Sequence, residues 1–307
     1  MNILITGGAG FIGSHLCESL VAARHKVTVI DDLSSGYKSN LCSVIDSIKF
    51  YKEKVELFDF TKLSKIDSVV HLAAQTSVPI SIKNFNNSSS SNLLGAINII
   101  DFCKSNQIPL VYASSAAIYG DLELGDDTNS KVDLLSPYAA DKYAMELYAK
   151  VAHQLYKLSS IGLRFYNVYG PRQDPTSAYS GVISIFCDKL LRGENLTING
   201  GYQTRDFIFV EDVVSVILQS VTIANNQAIC EQINTLTGKS ISVDSVADLL
   251  IKAVDVKVKK IFEDLPAGDP KRSNGTSAKI QTILKINLDE MTPIDKGLLI
   301  TVNSLRS

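Results

Sequence analysis

Thr6-Gly7-Gly8-Ala9-Gly10-Phe11-Ile12-Gly13-Ser14 joins a short apolar run, residues 2–6, to an amphipathic run, residues 11–23. Gly7, Gly10 and Gly13 fall where a strand turns tightly into a helix, and such a turn needs backbone angles that glycine reaches without strain. A missing Cβ also lets a pyrophosphate come close to the backbone. The helix start at Phe11, Ile12 and Gly13 supplies amide donors and positive potential. A second apolar run, 26–31, ends on Asp31, eighteen residues after Gly13. A carboxylate there accepts hydrogen bonds from both adenosine ribose hydroxyls and repels a 2′-phosphate, which favours NAD over NADP. Asp32 is a weaker candidate and otherwise caps the loop. Asp59 and Phe60, just after a third run at 48–51, stand where an adenine contact belongs; the alternative is an ordinary loop aspartate.

Outward from this loop, runs 67–72, 109–114, 160–165 and 232–235 are rich in Val, Ile and Leu and lack strict alternation. That is the pattern of strands buried on both faces of a parallel sheet. Helical patterns at 11–23, 92–105 and 138–157 lie between them. Strand and helix in repetition predict an α/β fold: a Rossmann-like, doubly wound parallel sheet. After Phe165 the rhythm changes. Gly170-Pro171 breaks it, a polar stretch follows, and a new helix is expected at 181–192. We read residues 1–165, with 205–236 returning, as the dinucleotide-binding domain, and 166–204 with 237–307 as a smaller substrate lobe. The Asn-Asn-Ser-Ser-Ser-Ser-Asn run at 86–92 is either a flexible connection or a helix start rich in capping residues.

Composition narrows the function classes. The 307 residues hold 30 lysines and arginines against 32 aspartates and glutamates, a formal charge of -2. That balance argues against a nucleic-acid or membrane-surface partner held by charge. A hydrophobic fraction of 45% with 20% charged residues excludes a disordered chain. No apolar stretch is long enough to span a bilayer, and the start of the chain lacks the basic and apolar regions of a signal peptide. The five scattered cysteines make no CxxC pair and read as free thiols of a reducing, cytoplasmic compartment. The four histidines show no metal-ligand spacing, so no metal is expected.

Tyr138 and Lys142 share one helix face at i and i+4. A free phenol titrates near 10 and is a poor base at neutral pH. A nearby ammonium and a positive nicotinamide ring both favour phenolate, so Tyr138 can take a proton from a sugar hydroxyl. Lys142 can also bond the nicotinamide ribose. Ser114 and Ser115 end a strand upstream, where α/β ligand sites form. Ser115 can hold the same sugar oxygen; Ser114 is either a second ligand or a backbone cap.

These motifs resemble the extended short-chain dehydrogenase/reductase family, and within it the nucleotide-sugar 4-epimerases. The resemblance covers essentially the whole chain. It rests on the glycine loop, His71-Leu72-Ala73-Ala74, Ser114-Ser115-Ala116-Ala117-Ile118-Tyr119-Gly120 and Ser136-Pro137-Tyr138. Arg164-Phe165-Tyr166-Asn167-Val168-Tyr169-Gly170-Pro171-Arg172-Gln173 and Thr204-Arg205-Asp206-Phe207-Ile208-Phe209-Val210 continue it. It implies that Tyr138 deprotonates the 4-hydroxyl of a UDP-hexose while a hydride passes to tightly held NAD. The 4-keto sugar turns over, and the hydride returns to the opposite face. Leu72, Ala73 and Ala74 are then cofactor residues, and Thr76, Ser77, Asn167, Gly181 and Val182 substrate residues. Arg205 would hold the UDP diphosphate; its alternative is a salt bridge to an acid such as Asp206. Gly268-Asp269-Pro270-Lys271-Arg272-Ser273 is similar to the turn that borders sugar and diphosphate. Pro266 stands where many members carry an arginine, so Arg272 or Lys271 is the substitute cation, or else a solvated turn. Small residues at Ser273 and Gly181 leave room for an N-acetyl group.

Ala116 occupies the place where related decarboxylases carry a glutamate, and no acid pair of the dehydratase kind stands beside it. The resemblance also implies a homodimer through a four-helix bundle of the 92–105 and 138–157 helices, although a core role explains the same apolar pattern. Tyr119 either closes over the cofactor or packs. By analogy the product would feed polysaccharide biosynthesis. The competing readings are a UDP-glucuronate 4-epimerase, a net oxidoreductase or dehydratase on the same scaffold, and a dinucleotide sensor without turnover.

Overall fold

Ile3, Leu4 and Ile5 are fully buried, which is what a central parallel strand demands of its sequence. The computed structural model describes residues 1–175, 181–265 and 271–306. The strands of the first half are β1 (Asn2–Thr6), β2 (Lys26–Ile30), β3 (Ile48–Tyr51), β4 (Ser68–His71), β5 (Leu110–Ser115) and β6 (Ser160–Phe165). Those of the second half are β7 (Asn167–Tyr169), β8 (Leu196–Asn199), β9 (Thr204–Phe209), β10 (Cys230–Thr235), β11 (Ser240–Ser242), β12 (Lys260–Glu263) and β13 (Arg272–Ser273). The main helices are α1 (Phe11–Ala22), α2 (Val78–Lys83), α3 (Phe85–Ser89), α4 (Gly95–Asn106), α5 (Pro137–Tyr156), α6 (Val182–Leu191) and α7 (Val210–Asn226).

The main sheet has seven strands in the order β10-β6-β5-β4-β1-β2-β3. The pairs β1–β2, β1–β4, β2–β3 and β4–β5 are parallel. This is the Rossmann-like, doubly wound sheet expected from the strand–helix rhythm. Its strand order reverses between β1 and β4, and ligands bind such folds outside the carboxyl ends at that point. The glycine loop leaves β1 there, Leu72 leaves β4, and Ser115 ends β5. Leu4, Val69, Ile99, Leu110, Met145 and Ala149 belong to one core cluster that packs α4 and α5 on the sheet. Each of the larger side chains among these, Ala149 excepted, contributes about 1.5–3 kcal/mol by leaving water.

The chain divides into two compact units. The first comprises Met1–Gly120, Val132–Arg164 and Val214–Ile233; the second comprises Asp121–Lys131, Phe165–Val213 and Asn234–Ser307. The sequence reading gave 1–165 and 205–236 to the first domain, but residues 121–131, 165, 205–213 and 234–236 fall in the second unit. For 205–213 the cause is strand pairing: β9 pairs with β7, β11 and β13. The second unit also holds the two-stranded β12–β8 sheet.

The Asn/Ser run at 86–92 is helical. Asn84 caps α3 by accepting from the Asn87 amide at 3.1 Å. A π-helical turn, Ser90–Leu94, then leads into α4. Polar side chains here satisfy helix-start amides, which is why a composition that looks loop-like forms a helix. All five cysteines are free. No helix among the described residues is long and apolar enough to cross a membrane.

Candidate active site

The glycine loop is shaped by close approach. Gly7 has φ +73°, and a Cβ on it would lie 2.7 Å from the Ala73 amide nitrogen. A Cβ on Gly13 would stand 2.1 Å from the Gly7 carbonyl oxygen, so α1 reaches the loop only without one. At Gly10 the nearest atom is the Gly7 carbonyl oxygen at 3.2 Å, which leaves that position the most open of the three. α1 begins at Phe11, behind Gly10, with no side-chain cap and no acid in its first turn. Its leading N–H groups therefore keep their capacity for an anion.

Thr6 joins the two loops. Its Oγ1 lies 2.7 Å from His71 Nδ1 and accepts from the Ala73 amide at 3.2 Å. The sequence reading gave neither Thr6 nor His71 a role, because neither forms a motif alone. Burial, with the Lys142 charge adding to it, pushes His71 down to about 3, so the ring is neutral. Gly8, inside the glycine loop, and Gly36, which stands in no motif, are also closely packed. A Cβ on Gly8 would meet Val29, and one on Gly36 would meet the Ala9 backbone.

Asp31 is 7% exposed at the end of β2. Its two oxygens accept from the Ala9 amide at 2.9 Å and the Leu33 amide at 2.8 Å. Burial raises its pKa, and those two amides oppose the rise. Each oxygen keeps a lone pair for a further donor. Asp32 caps its loop by accepting from the Ser34 amide. Asp59 is exposed and accepts from the Thr61 amide and hydroxyl, which hold it below the usual carboxylate range. Phe60 stacks on Phe102 at 4.9 Å between ring centroids.

Ser136 caps α5 by accepting from the Ala139 amide at 3.1 Å, with Pro137 opening the helix. Tyr138 and Lys142 then share a face by one turn of helix. Burial raises the Tyr138 phenol above its ordinary value, and a hydrogen bond with Ser115 opposes this. Lys142 Nζ donates to the Ala113 carbonyl at 2.7 Å and lies 5.8 Å from the centroid of the Tyr138 ring. Burial pushes its ammonium down to about 8, opposed by the Asp141 charge. Ser115 Oγ also accepts from the Ala117 amide at 3.1 Å. Ser115, Tyr138 and Lys142 are thus brought together at the carboxyl end of β5.

Ser114 is corrected. It is 2% exposed, and its hydroxyl donates to Glu146 Oε1 at 2.5 Å, so its donor is committed to a buried network and not to a substrate. Tyr119 packs in the same network, accepting from Arg164 Nη1 at 2.7 Å. Ser77 is buried and caps α2 by accepting from the Ile80 amide, which makes it a structural cap as well. Thr76 is exposed; Leu72, Ala73 and Ala74 are half-buried, the first two beside Gly7.

In the second unit, β9 gathers several of the expected substrate residues. Arg205 pairs in register with Ser273 of β13, and Asn167 of β7 with Phe207. Arg205 Nη1 donates to the Thr204 carbonyl, and Asn167 Nδ2 donates to the Asp206 carbonyl at 3.1 Å. Side chains alternate along a strand, so Arg205 and Asp206 face opposite ways. The Asp206 carboxylate accepts from Thr237. Arg272 is exposed, and Gly181 caps α6 just before Val182, with Gln173 against it. Pro266, Gly268, Asp269, Pro270, Tyr179 and Ser180 lie outside the described residues.

Residues 3–234 match the profile of a family described as NAD dependent epimerase/dehydratase. The chain belongs to the NAD dependent epimerase/dehydratase family. A UDP-glucose 4-epimerase of Mycolicibacterium smegmatis is 34% identical over 293 residues, 92% of either chain. A UDP-N-acetylglucosamine 4-epimerase from Methanobrevibacter ruminantium, solved in complex with UDP-N-acetylmuramic acid, has a TM-score of 0.93 at 33% identity, covering 99% of this chain and 98% of that one. The UDP-glucose 4-epimerase of Thermotoga maritima, solved with UDP-glucose, has a TM-score of 0.92 at 32% identity, covering 100% and 99%. Membership in this epimerase/dehydratase family makes NAD the cofactor, and the residues fit it. The open Gly10 corner and uncapped α1 suit a pyrophosphate, and Asp31 retains acceptor capacity for a ribose.

Proposed function

We propose that this protein is an NAD-dependent 4-epimerase of UDP-hexoses working through a 4-keto sugar. The observation that carries the reading is the buried Tyr138–Lys142 pair with Ser115 on the phenol and no carboxylate at Ala116. The pair can move a proton to and from a hydroxyl, but nothing at Ala116 offers an acid or base for eliminating water or carbon dioxide. When bound, NAD supplies the acceptor and donor of the hydride. Tyr138 as phenolate takes the 4-hydroxyl proton and later returns it. Ser115 orients the same sugar oxygen. Lys142 as ammonium favours the phenolate and bonds the nicotinamide ribose. Gly7, Gly10, Phe11, Ile12, Gly13 and Asp31 hold the dinucleotide; Asp59, Phe60, Leu72, Ala73 and Ala74 flank it. Asn167, Arg205, Gly181, Val182, Arg272 and Ser273, with Thr76, serve the nucleotide sugar. Arginine suits the diphosphate by its forked, charge-assisted hydrogen bonds.

The test is a proton NMR time course with UDP-GlcNAc and, separately, UDP-glucose, without added NAD. Formation of UDP-GalNAc or UDP-galactose with no release of NADH supports the reading. No conversion of either, even with NAD added, overturns it in favour of another sugar or of no turnover.

Ser273 and Gly181 leave room at the sugar 2-substituent, so N-acetylated hexoses are accepted. Ser273→Tyr is expected to lower kcat/KM for UDP-GlcNAc at least about tenfold while sparing UDP-glucose, since filling a pocket is worth roughly 1–3 kcal/mol. Equal loss on both substrates would contradict this.

The protein acts as a homodimer in the cytoplasm. Leu147, Tyr148, Val151 and Leu155 are exposed along α5, and Leu94 is exposed just before α4. Residues four apart share a helix face, so Leu147, Val151 and Leu155 form one stripe. The proposed occupant is the same stripe of a second copy in a four-helix bundle. Sedimentation equilibrium is expected to give twice the 33.4 kDa chain mass, falling to the chain mass in Leu147→Glu/Val151→Glu. A wild-type monomer would refute the bundle.

A further inference from the structure

We propose that Asp141 is a positioning residue for Lys142, and that the serine- and asparagine-rich segment 77–94 braces this turn of α5 against the cofactor loop. The inference rests on the roles of Tyr138 and Lys142 given above.

Asp141 is 5% exposed. Its Oδ1 accepts from Ser89 Oγ at 2.8 Å, and the Asn92 side chain lies against the carboxylate. Its Oδ2 is buried and makes no hydrogen bond with any described residue. A half-satisfied buried carboxylate is costly, and an apolar residue would pack there at lower cost. The charge therefore calls for a reason, and the neighbouring charge is Lys142. Burial lowers the Lys142 ammonium to about 8, and Asp141 acts against that fall. Burial raises the Asp141 carboxyl, with Ser89, Asn92 and Lys142 acting against the rise.

The other titratable groups bearing on the pair are Tyr138 on α5 and His71 at the end of β4. His71 is neutral and supplies no counter-charge. Glu146, one turn further along α5, is paired with Arg164. Ser81, Ser89 and Asn92, the side chains of segment 77–94 that bear on α5 and the loop, are uncharged, and the segment's one charged residue, Lys83, is exposed. Asp141 is thus the acid whose charge acts against the fall of Lys142.

The same segment reaches the chain at two further places. Ser81 Oγ accepts from the Tyr138 amide at 3.2 Å, while donating to the Val78 carbonyl at 2.7 Å. Asn92 accepts from the Gln75 amide at 2.7 Å and donates to the Gln75 carbonyl at 3.0 Å. Ser88 Oγ donates to Gln75 Oε1 at 3.2 Å. Gln75 belongs to the loop that leaves β4 and packs against Gly7. One polar segment therefore holds the Tyr138 amide, the Asp141 carboxylate and the cofactor loop, with a π-helical turn setting their spacing.

The test compares Asp141→Asn, Asp141→Glu and Ser89→Ala with wild type. Lys142 is titrated by 13Cε lysine NMR on the purified protein, with Lys142→Met as the assignment control. Asp141→Asn keeps an acceptor for Ser89 and removes the charge. Its Lys142 is expected to titrate about one pH unit lower, and the alkaline limb of kcat to move down equally. KM for the UDP-sugar should stay within about twofold, since substrate binding is untouched. Asp141→Glu should restore the limb in part. Ser89→Ala should lower kcat without moving the limb as far, because the charge remains. An unchanged Lys142 titration in Asp141→Asn, or a loss of kcat with no shift of the limb, would overturn the proposal. If the wild type turns over no UDP-sugar, the functional reading fails instead, and the lysine titration still decides the Asp141–Lys142 coupling.

Discussion

Tyr138→Phe is expected to lower kcat for 4-epimerisation about 10³-fold, the middle of the range for losing a positioned acid–base group. The change removes one oxygen and keeps the ring, so helix α5 and its packing are retained. Burial raises the Tyr138 phenol, which would make it a weaker base at neutral pH if nothing opposed it. The Ser115 hydrogen bond and the Lys142 ammonium, 5.8 Å from the ring centroid, are the opposing groups. Bound NAD adds its positive ring. Ser115→Ala should therefore cost less, since it removes one hydrogen bond and leaves the phenol. NAD content of the purified variant and its melting temperature should match wild type. Activity within about tenfold of wild type in Tyr138→Phe would remove the tyrosine from the chemistry, and loss of bound NAD would show that the phenol serves cofactor binding instead.

The first unit was legible because its signals are local. β1, β3 and β6 begin and end where the apolar runs do. Pro137 and Ser136 mark the start of α5 within one residue of the expected helix. The glycine loop and the Tyr–Lys spacing each need only a few adjacent positions. Other features depend on partners distant in sequence. Ser114 looks like a ligand beside Ser115, and only the position of Glu146 shows that its hydroxyl is committed elsewhere. Asp141 carries no motif; its meaning comes from Ser89, fifty-two residues away. β9 carries a family motif, but its place in the second unit follows from pairing with three short strands that have little hydrophobic signal of their own. α7 opens Val-Glu-Asp-Val-Val, a β-branched start that does not read as helix although 17 residues form one.

Conservation of chemistry with loss of legibility has a physical cause here. The proposed site chemistry is concentrated on one turn of α5 and the ends of four parallel strands, so a few short sequence windows hold it. The groups that keep those elements in register are spread over α2, α3, the π-helical turn and β6, each supplying one or two ordinary polar residues. A serine at 81 or 89 has no sequence mark that separates it from a surface serine. Only its acceptor or donor does, and that is a property of the fold.

Glu146→Gln is expected to destabilise the protein by about 3–5 kcal/mol, the usual result of leaving one partner of a buried ion pair uncompensated. Glu146 and Arg164 have side chains 4% and 5% exposed. The guanidinium donates from Nε to Oε1 at 2.9 Å and from Nη2 to Oε2 at 2.7 Å, a bidentate fork. Its Nη1 donates to the Tyr119 hydroxyl, and Ser114 Oγ donates to the same carboxylate. An amide can accept only on one side of that fork, and its NH2 would face the guanidinium. The melting temperature should fall by roughly 10 °C for a chain of this size. Arg164→Met should fall comparably, since it leaves the carboxylate buried with Ser114 as its remaining donor. The double variant Glu146→Leu/Arg164→Met removes both charges and should lose less than either single change, because buried pairs replaced by apolar residues are often neutral in stability. A double variant that loses the sum of the singles would show that the two residues act independently. Coupling has a consequence for the site as well. Glu146 holds Ser114, Lys142 holds the Ala113 carbonyl, and Ser115 follows directly, so the ion pair fixes the end of β5 on which the proposed proton transfer depends.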